Sequence, residues 1–97
     1  NYTLLSKVQK AIETFGQPTV TIEGHTDSTG SAQTNRELSQ KRAEAVKTYL
    51  VANKTLPSSR IRATGYGPSR PLAPETTPEG RAMNRRIDVL ITPSQTP

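Results

Sequence analysis

Three short segments decide what this chain can fold into, because each alternates polar and apolar residues and each has only one apolar side. In residues 19–24 Val20 and Ile22 face one way while Thr19, Thr21 and Glu23 face the other; in 60–65 Ile61 and Ala63 share a side; in 85–92 Ile87, Val89 and Ile91 do. A strand of that pattern has one covered face and one wet face. Helical patterns separate the three, so the expected fold is an α/β (α+β) sandwich of βαβαβ type, a mixed β-sheet with helices packed on one face. Ninety-seven residues suffice for one such domain with a modest core, assigned to 1–92, and residues 93–97 read as a disordered tail.

The helices carry the first chemical clue. Leu4, Leu5, Val8, Ala11, Ile12 and Phe15 recur at helical spacing, and Gly16 and Pro18 end that helix. A longer one is expected over 35–53, started by Thr34 with Glu37 three residues on, the spacing of a capping box. In that register Leu38, Ala45, Val46, Tyr49 and Leu50 form one sector, and Asn35 and Arg42 project from inside it. A guanidinium that faces a core needs an anion, unless its stem lies along the apolar face and carries the head back out to water. Strand parity turns Arg85 toward the same covered side and Arg86 and Asp88 toward the open one. That leaves Asp27, in the loop after the first strand, as the internal counter-charge.

The remaining segments read as connections. Residues 25–33 are rich in Thr, Asp, Ser and Gly and form a loop; 66–77 holds Gly67, Pro68, Pro71 and Pro74, too many breakers for a regular element. Thr77 and Pro78 then read as the N-cap and first residue of a short helix ending near Asn84.

A pocket holding Asp27, Arg42 and Arg85, bordered by the amide of Asn35 and the hydroxyl of Thr26, is complementary to a zwitterion such as an amino-acid end. Asp27 would accept from an ammonium group, and Arg42 would hold a carboxylate through paired charge-assisted hydrogen bonds. The competing reading is a structural or protein-interaction module in which Asp27 and Arg42 form an internal salt bridge. Other classes fare worse. The net charge of +5 is scattered over several elements rather than gathered in a stripe, which argues against nucleic acid. His25, Asp27 and Ser28 adjoin on one loop, unlike a catalytic triad, and no Gly-x-Ser-x-Gly turn is present, so no catalytic residue is assigned. One histidine, no cysteine and dispersed carboxylates suggest neither metal nor cofactor, and Glu75 and Glu79 read as solvated. No apolar run approaches membrane-span length.

The run Gly24-His25-Thr26-Asp27, then Gly30, Asn35, Leu38-Ser39, Arg42-Ala43, Val46 and Tyr49-Leu50, resembles the peptidoglycan-binding OmpA-like C-terminal domain family. The resemblance continues through Arg60-Ile61, Gly65-Tyr66-Gly67, Pro71 and Gly80-Arg81-Ala82-Met83-Asn84-Arg85-Arg86, in order. It implies non-covalent binding of the peptidoglycan stem peptide through meso-diaminopimelate, with Asp27 and Arg42 on its ammonium and carboxylate. Asn35 and Arg85 line the same pocket by that resemblance, and Thr26 and Leu38 count with them as ligand-binding residues. It further implies a periplasmic address in a Gram-negative envelope, attached to an outer-membrane or other anchored protein. Such domains usually open with a strand before the first helix, and here that strand is expected to be missing or truncated.

Overall fold

The computed structural model describes residues 2–93; Asn1 and most of the proposed tail, 94–97, lie outside the described residues. The order is α1 (Tyr2–Thr14), β1 (Thr19–His25), α2 (Ala32–Ala52), a 3₁₀ turn (Ser58–Arg60), β2 (Ile61–Gly67), α3 (Pro78–Asn84) and β3 (Arg86–Thr92). The strands stand in the order β2-β1-β3, with β1 parallel to β2 and antiparallel to β3, so the sheet is mixed as the one-sided strand patterns require. Ile12 of α1, Val20 and Ile22 of β1, Ala43 and Leu50 of α2, Leu56 and Ile61 make the buried core, and Ile87, Val89 and Ile91 pack against it from β3. No helix among the described residues is long and apolar enough to cross a membrane.

Helix α2 departs from its expected register. It begins at Ala32, with Ser31 as N-cap accepting from the Thr34 amide at 3.2 Å, so the Thr34–Glu37 pair lies inside the helix and is not its cap. The buried side runs through Ser39, Ala43 and Leu50, while Leu38, Arg42 and Ala45 are exposed. Arg42 therefore faces solvent and not the core. The reason is steric: the contact stripe is chosen by small residues. A Cβ added at Gly24 of β1 would stand 2.2 Å from the Ser39 carbonyl oxygen, and one at Gly65 of β2 would stand 2.2 Å from the Gln40 amide nitrogen. Helix backbone thus rests directly on strand backbone, an approach that Leu38 or Arg42 would prevent.

Side chains secure that contact. Ser39 Oγ donates to the Arg36 carbonyl (2.8 Å) and accepts from the Gly67 amide (2.9 Å). The Gln40 amide donates to the Ala63 carbonyl at 3.0 Å and accepts from the Gly65 amide at 2.7 Å. Phe15, expected on the buried stripe of α1, is 47% exposed, because α1 stops at Thr14 and the chain turns away at Gly16 with φ +75°.

Two glycine substitutions separate crowding from backbone strain. Gly24→Ala is expected to cost at least about 2 kcal/mol in urea unfolding, since the atoms it would meet are all Ser39 backbone and cannot swing away. Gly30→Ala, at φ +86° with open space around it, is expected to cost only about 1 kcal/mol.

Candidate functional site

Strand β1 ends at His25, and the next residue is tied to the end of β2 by Thr26 N–H donating to the Gly67 carbonyl at 3.0 Å. The chain then turns on Asp27. Its Oδ1 accepts from the Thr29 amide at 2.9 Å, an Asx turn, and Oδ2 accepts from Arg85 Nη1 at 2.6 Å. Asn35, in the first turn of α2, donates to the Thr29 carbonyl (2.8 Å) and more weakly to the Asp27 carbonyl (3.4 Å). Thr26 Oγ1 is spent on the Asp27 carbonyl at 2.8 Å and is buried, so it braces the loop and does not present its hydroxyl outward. The Thr29 amide, and after it the Arg85 guanidinium, hold the Asp27 carboxyl below its ordinary range.

Arg85 lies outside the strand that parity assigned it to. It is the C-cap of α3, half-exposed, and β3 begins one residue later. Its guanidinium reaches Asp27 and also lines an open cleft of about 400 Å³ with Arg42, Arg86 and Ile87. Arg42 and Arg85 therefore do converge, but from the solvent side. Asp27 pairs with Arg85, and no Asp27–Arg42 ion pair occurs within 4.0 Å among the described residues, so the internal salt bridge expected between those two is corrected to Asp27–Arg85. Leu38 is 38% exposed on α2 and is not among the residues lining the cleft. A larger depression, about 570 Å³, is lined by Glu44, Lys47, Thr48, Val51, Ala52 and Ser58 and brings no guanidinium to an opposing acid.

Sequence reasoning missed the clamp that holds this site. Glu75, taken as solvated, accepts at Oε1 from both the amide (2.9 Å) and the hydroxyl (2.6 Å) of Ser28, next to Asp27. Its other oxygen accepts from the Asn84 amide. Asn84 is fully buried, and its Oδ1 also takes the Leu72 and Ala73 amides at 2.6 and 2.9 Å while Nδ2 donates to the Ala73 carbonyl at 2.9 Å. Gly80 permits this fold-back, because a Cβ there would meet the Pro74 carbonyl oxygen at 1.8 Å. Loop 68–77 is thereby pinned to α3 and to the Asp27 turn. The N-cap of α3 is as expected, with Thr77 Oγ1 accepting from the Gly80 amide at 3.0 Å and Pro78 following it. For Glu75 the only sequence signal was its place among breakers.

The opposite face of the sheet carries a second polar cluster. His25 is 2% exposed and stacked on Tyr66, with ring centroids 5.6 Å apart. Arg70 lies over the Tyr66 ring at 3.8 Å. Glu23 and Asp88, distant in sequence, stand opposite one another in the β1–β3 register.

Asp27 and Glu75 both have carboxyls held below their ordinary values, Asp27 by the Thr29 amide first and Glu75 by the Ser28 hydroxyl first. A depressed folded-state pKa contributes stability above the unfolded-state value and loses it as pH falls toward the folded one. Unfolding free energy is therefore expected to drop below about pH 4, with Glu75→Gln showing a shallower drop than wild type in denaturant titrations across that range.

Comparison with known proteins bears on the family. The model of the OmpA family matches residues 1–85. Outer membrane porin F of Pseudomonas aeruginosa is 40% identical over 88 residues, 91% of this chain and 25% of the porin. The peptidoglycan-binding protein ArfA of Mycobacterium bovis is 40% identical over 91 residues, 94% of this chain and 28% of that protein. The chain thus spans about a quarter of the length of these curated relatives. Among solved structures, the peptidoglycan-associated lipoprotein of Burkholderia pseudomallei superposes with a TM-score of 0.81 at 30% identity, over 93% of this chain and 75% of that one. With the family model matching the chain from α1 through α3 and the fold shared with a relative of which it covers three quarters, this chain belongs to the OmpA family.

Proposed function

We propose that this domain binds peptidoglycan without catalysis and anchors a periplasmic or envelope protein to the cell wall, recognising the meso-diaminopimelate of the stem peptide. One observation carries the reading: Asp27 and Arg85, paired at 2.6 Å, adjoin a cleft that Arg85 shares with Arg42 and Arg86. Opposite charges at one surface site suit a ligand that bears both an ammonium and a carboxylate. A planar guanidinium offers two parallel donors to a carboxylate, and Arg42 stands ready because it is exposed and lies on a rigid helix. Asp27 has lone pairs beyond the two used by Thr29 and Arg85, so it can accept from an ammonium without giving up either. Asn35, by holding the Thr29 and Asp27 carbonyls, sets the loop that presents this carboxylate. The names of ArfA and of the Burkholderia lipoprotein, both tied to peptidoglycan, favour the same ligand class.

The rival reading is an interaction module in which Asp27 serves only to pair with Arg85. Co-sedimentation with purified diaminopimelate-type sacculi separates the two. Because Arg42 is exposed, Arg42→Ala should change stability by no more than about 0.5 kcal/mol yet weaken sacculus binding by about tenfold or more. Undiminished binding by the folded variant, together with Asp27→Ala, would sink the pocket assignment. Selectivity provides a further check. Lysine-type wall lacks the carboxylate beside the ammonium, so it should compete poorly against the diaminopimelate type, and equal competition by the two contradicts the ligand named here.

A further inference from the structure

The open face of the sheet carries a cluster that the cleft does not use. Glu23 and His25 are two residues apart on β1 and share a side, and the antiparallel register sets Asp88 opposite Glu23 and Arg86 opposite His25. One carboxylate oxygen from each acid and one ring nitrogen of His25 gather within 4.8 Å of one another. His25 is 98% buried by its 2% exposure, and neither ring nitrogen has a hydrogen-bond partner among the described residues. Nε2 points between the acids, 3.3 Å from Asp88 Oδ2 and 3.9 Å from Glu23 Oε1. Leaving a buried ring nitrogen unpaired is costly, and such orphans mark positions where another partner belongs.

We propose that Glu23, His25 and Asp88 form a binding site for one divalent transition-metal cation of the zinc type. Ligands held 2.0–2.1 Å from a tetrahedral ion stand about 3.3 Å apart, which is the separation found between His25 Nε2 and Asp88 Oδ2. Glu23 Oε1, 3.9 Å from Nε2 and within 4.8 Å of the Asp88 oxygen, must move inward by a side-chain rotation to complete the set, and the fourth position falls to water. Two carboxylates neutralise a divalent charge, and one imidazole with two carboxylates suits zinc better than calcium or magnesium, which favour all-oxygen shells. Burial, and after it the Arg86 guanidinium, lower the pKa of His25, so the ring nitrogen keeps its lone pair at neutral pH. Asp88 is 39% exposed and opens the site to solvent.

Two arginines now occupy part of the space, and both have somewhere else to be. Arg70 sits 3.9 Å from Glu23 Oε2 but also 3.8 Å above the Tyr66 ring, where it is already held. Arg86 Nε lies 3.2 Å from each Asp88 oxygen, so it can retain Oδ1 when a cation takes Oδ2. The face of Tyr66 stacked against His25 fixes the ring that the ion would engage.

The chain has one histidine and no cysteine, so the His25 ring resonances report on this site alone. ZnCl₂ is titrated into protein prepared without a histidine tag, with binding read by calorimetry and the ring nitrogens by ¹⁵N NMR. One-to-one binding that moves the His25 Nε2 resonance is expected, weakened by about tenfold or more in Asp88→Asn and in Glu23→Gln. Asp88→Asn alters a half-exposed residue and serves if Glu23→Gln does not fold. Zinc binding that leaves the ring resonances unmoved, or that is as tight in Asp88→Asn, overturns the site. CaCl₂ or MgCl₂ matching ZnCl₂ in affinity overturns the metal class.

Discussion

Everything at the candidate site depends on how closely α2 lies against the sheet. Gly24 and Gly65 remove atoms that would keep the two backbones apart, and Ser39 and Gln40 convert the resulting contact into hydrogen bonds. Such a seat has little freedom to slide, since any shift along the strands breaks directed bonds and meets backbone rather than yielding side chains. Asn35 and Arg42 are carried on the same helix, so their positions relative to the Asp27 turn are inherited from two glycines that do not line the cleft.

The Asp27 turn is fastened from a second direction. Glu75 and Asn84 join loop 68–77, α3 and the 27–29 turn into one hydrogen-bonded unit, with the fully buried Asn84 side chain using both oxygen and nitrogen. A loop rich in proline contributes little regular structure of its own, yet its backbone groups must find partners. Asn84 meets that demand, and in doing so sets the end of α3 from which Arg85 reaches Asp27.

Much of the fold was legible because it rests on period and punctuation. The one-sided alternation of Val20 and Ile22, or of Ile87, Val89 and Ile91, named the strands, and Thr77 with Pro78 marked α3 to the residue. The register of α2 was misread because large apolar residues were assumed to define its buried side. Ser39 and Ala43 do so instead, which a hydrophobicity pattern cannot show without knowledge of the facing glycines. The convergence of the candidate residues was legible, and their wiring was not. Asp27, Arg42 and Arg85 were all singled out, but the pairing of Asp27 with Arg85 depends on the C-cap position that ends α3, and Glu75 and the Glu23–Asp88 juxtaposition arise from contacts between residues far apart in the chain.

The amide of Gln40 has a consequence for assembly. By meeting the Ala63 carbonyl and the Gly65 amide it plays the part of a neighbouring strand two bonds long, and Ser39 continues it at Gly67. Three backbone groups on the outer rim of β2 are thereby withheld from a foreign chain. Since β1 is flanked on both sides, a strand added to the described sheet meets these side chains beyond β2, which turns growth toward the β3 edge.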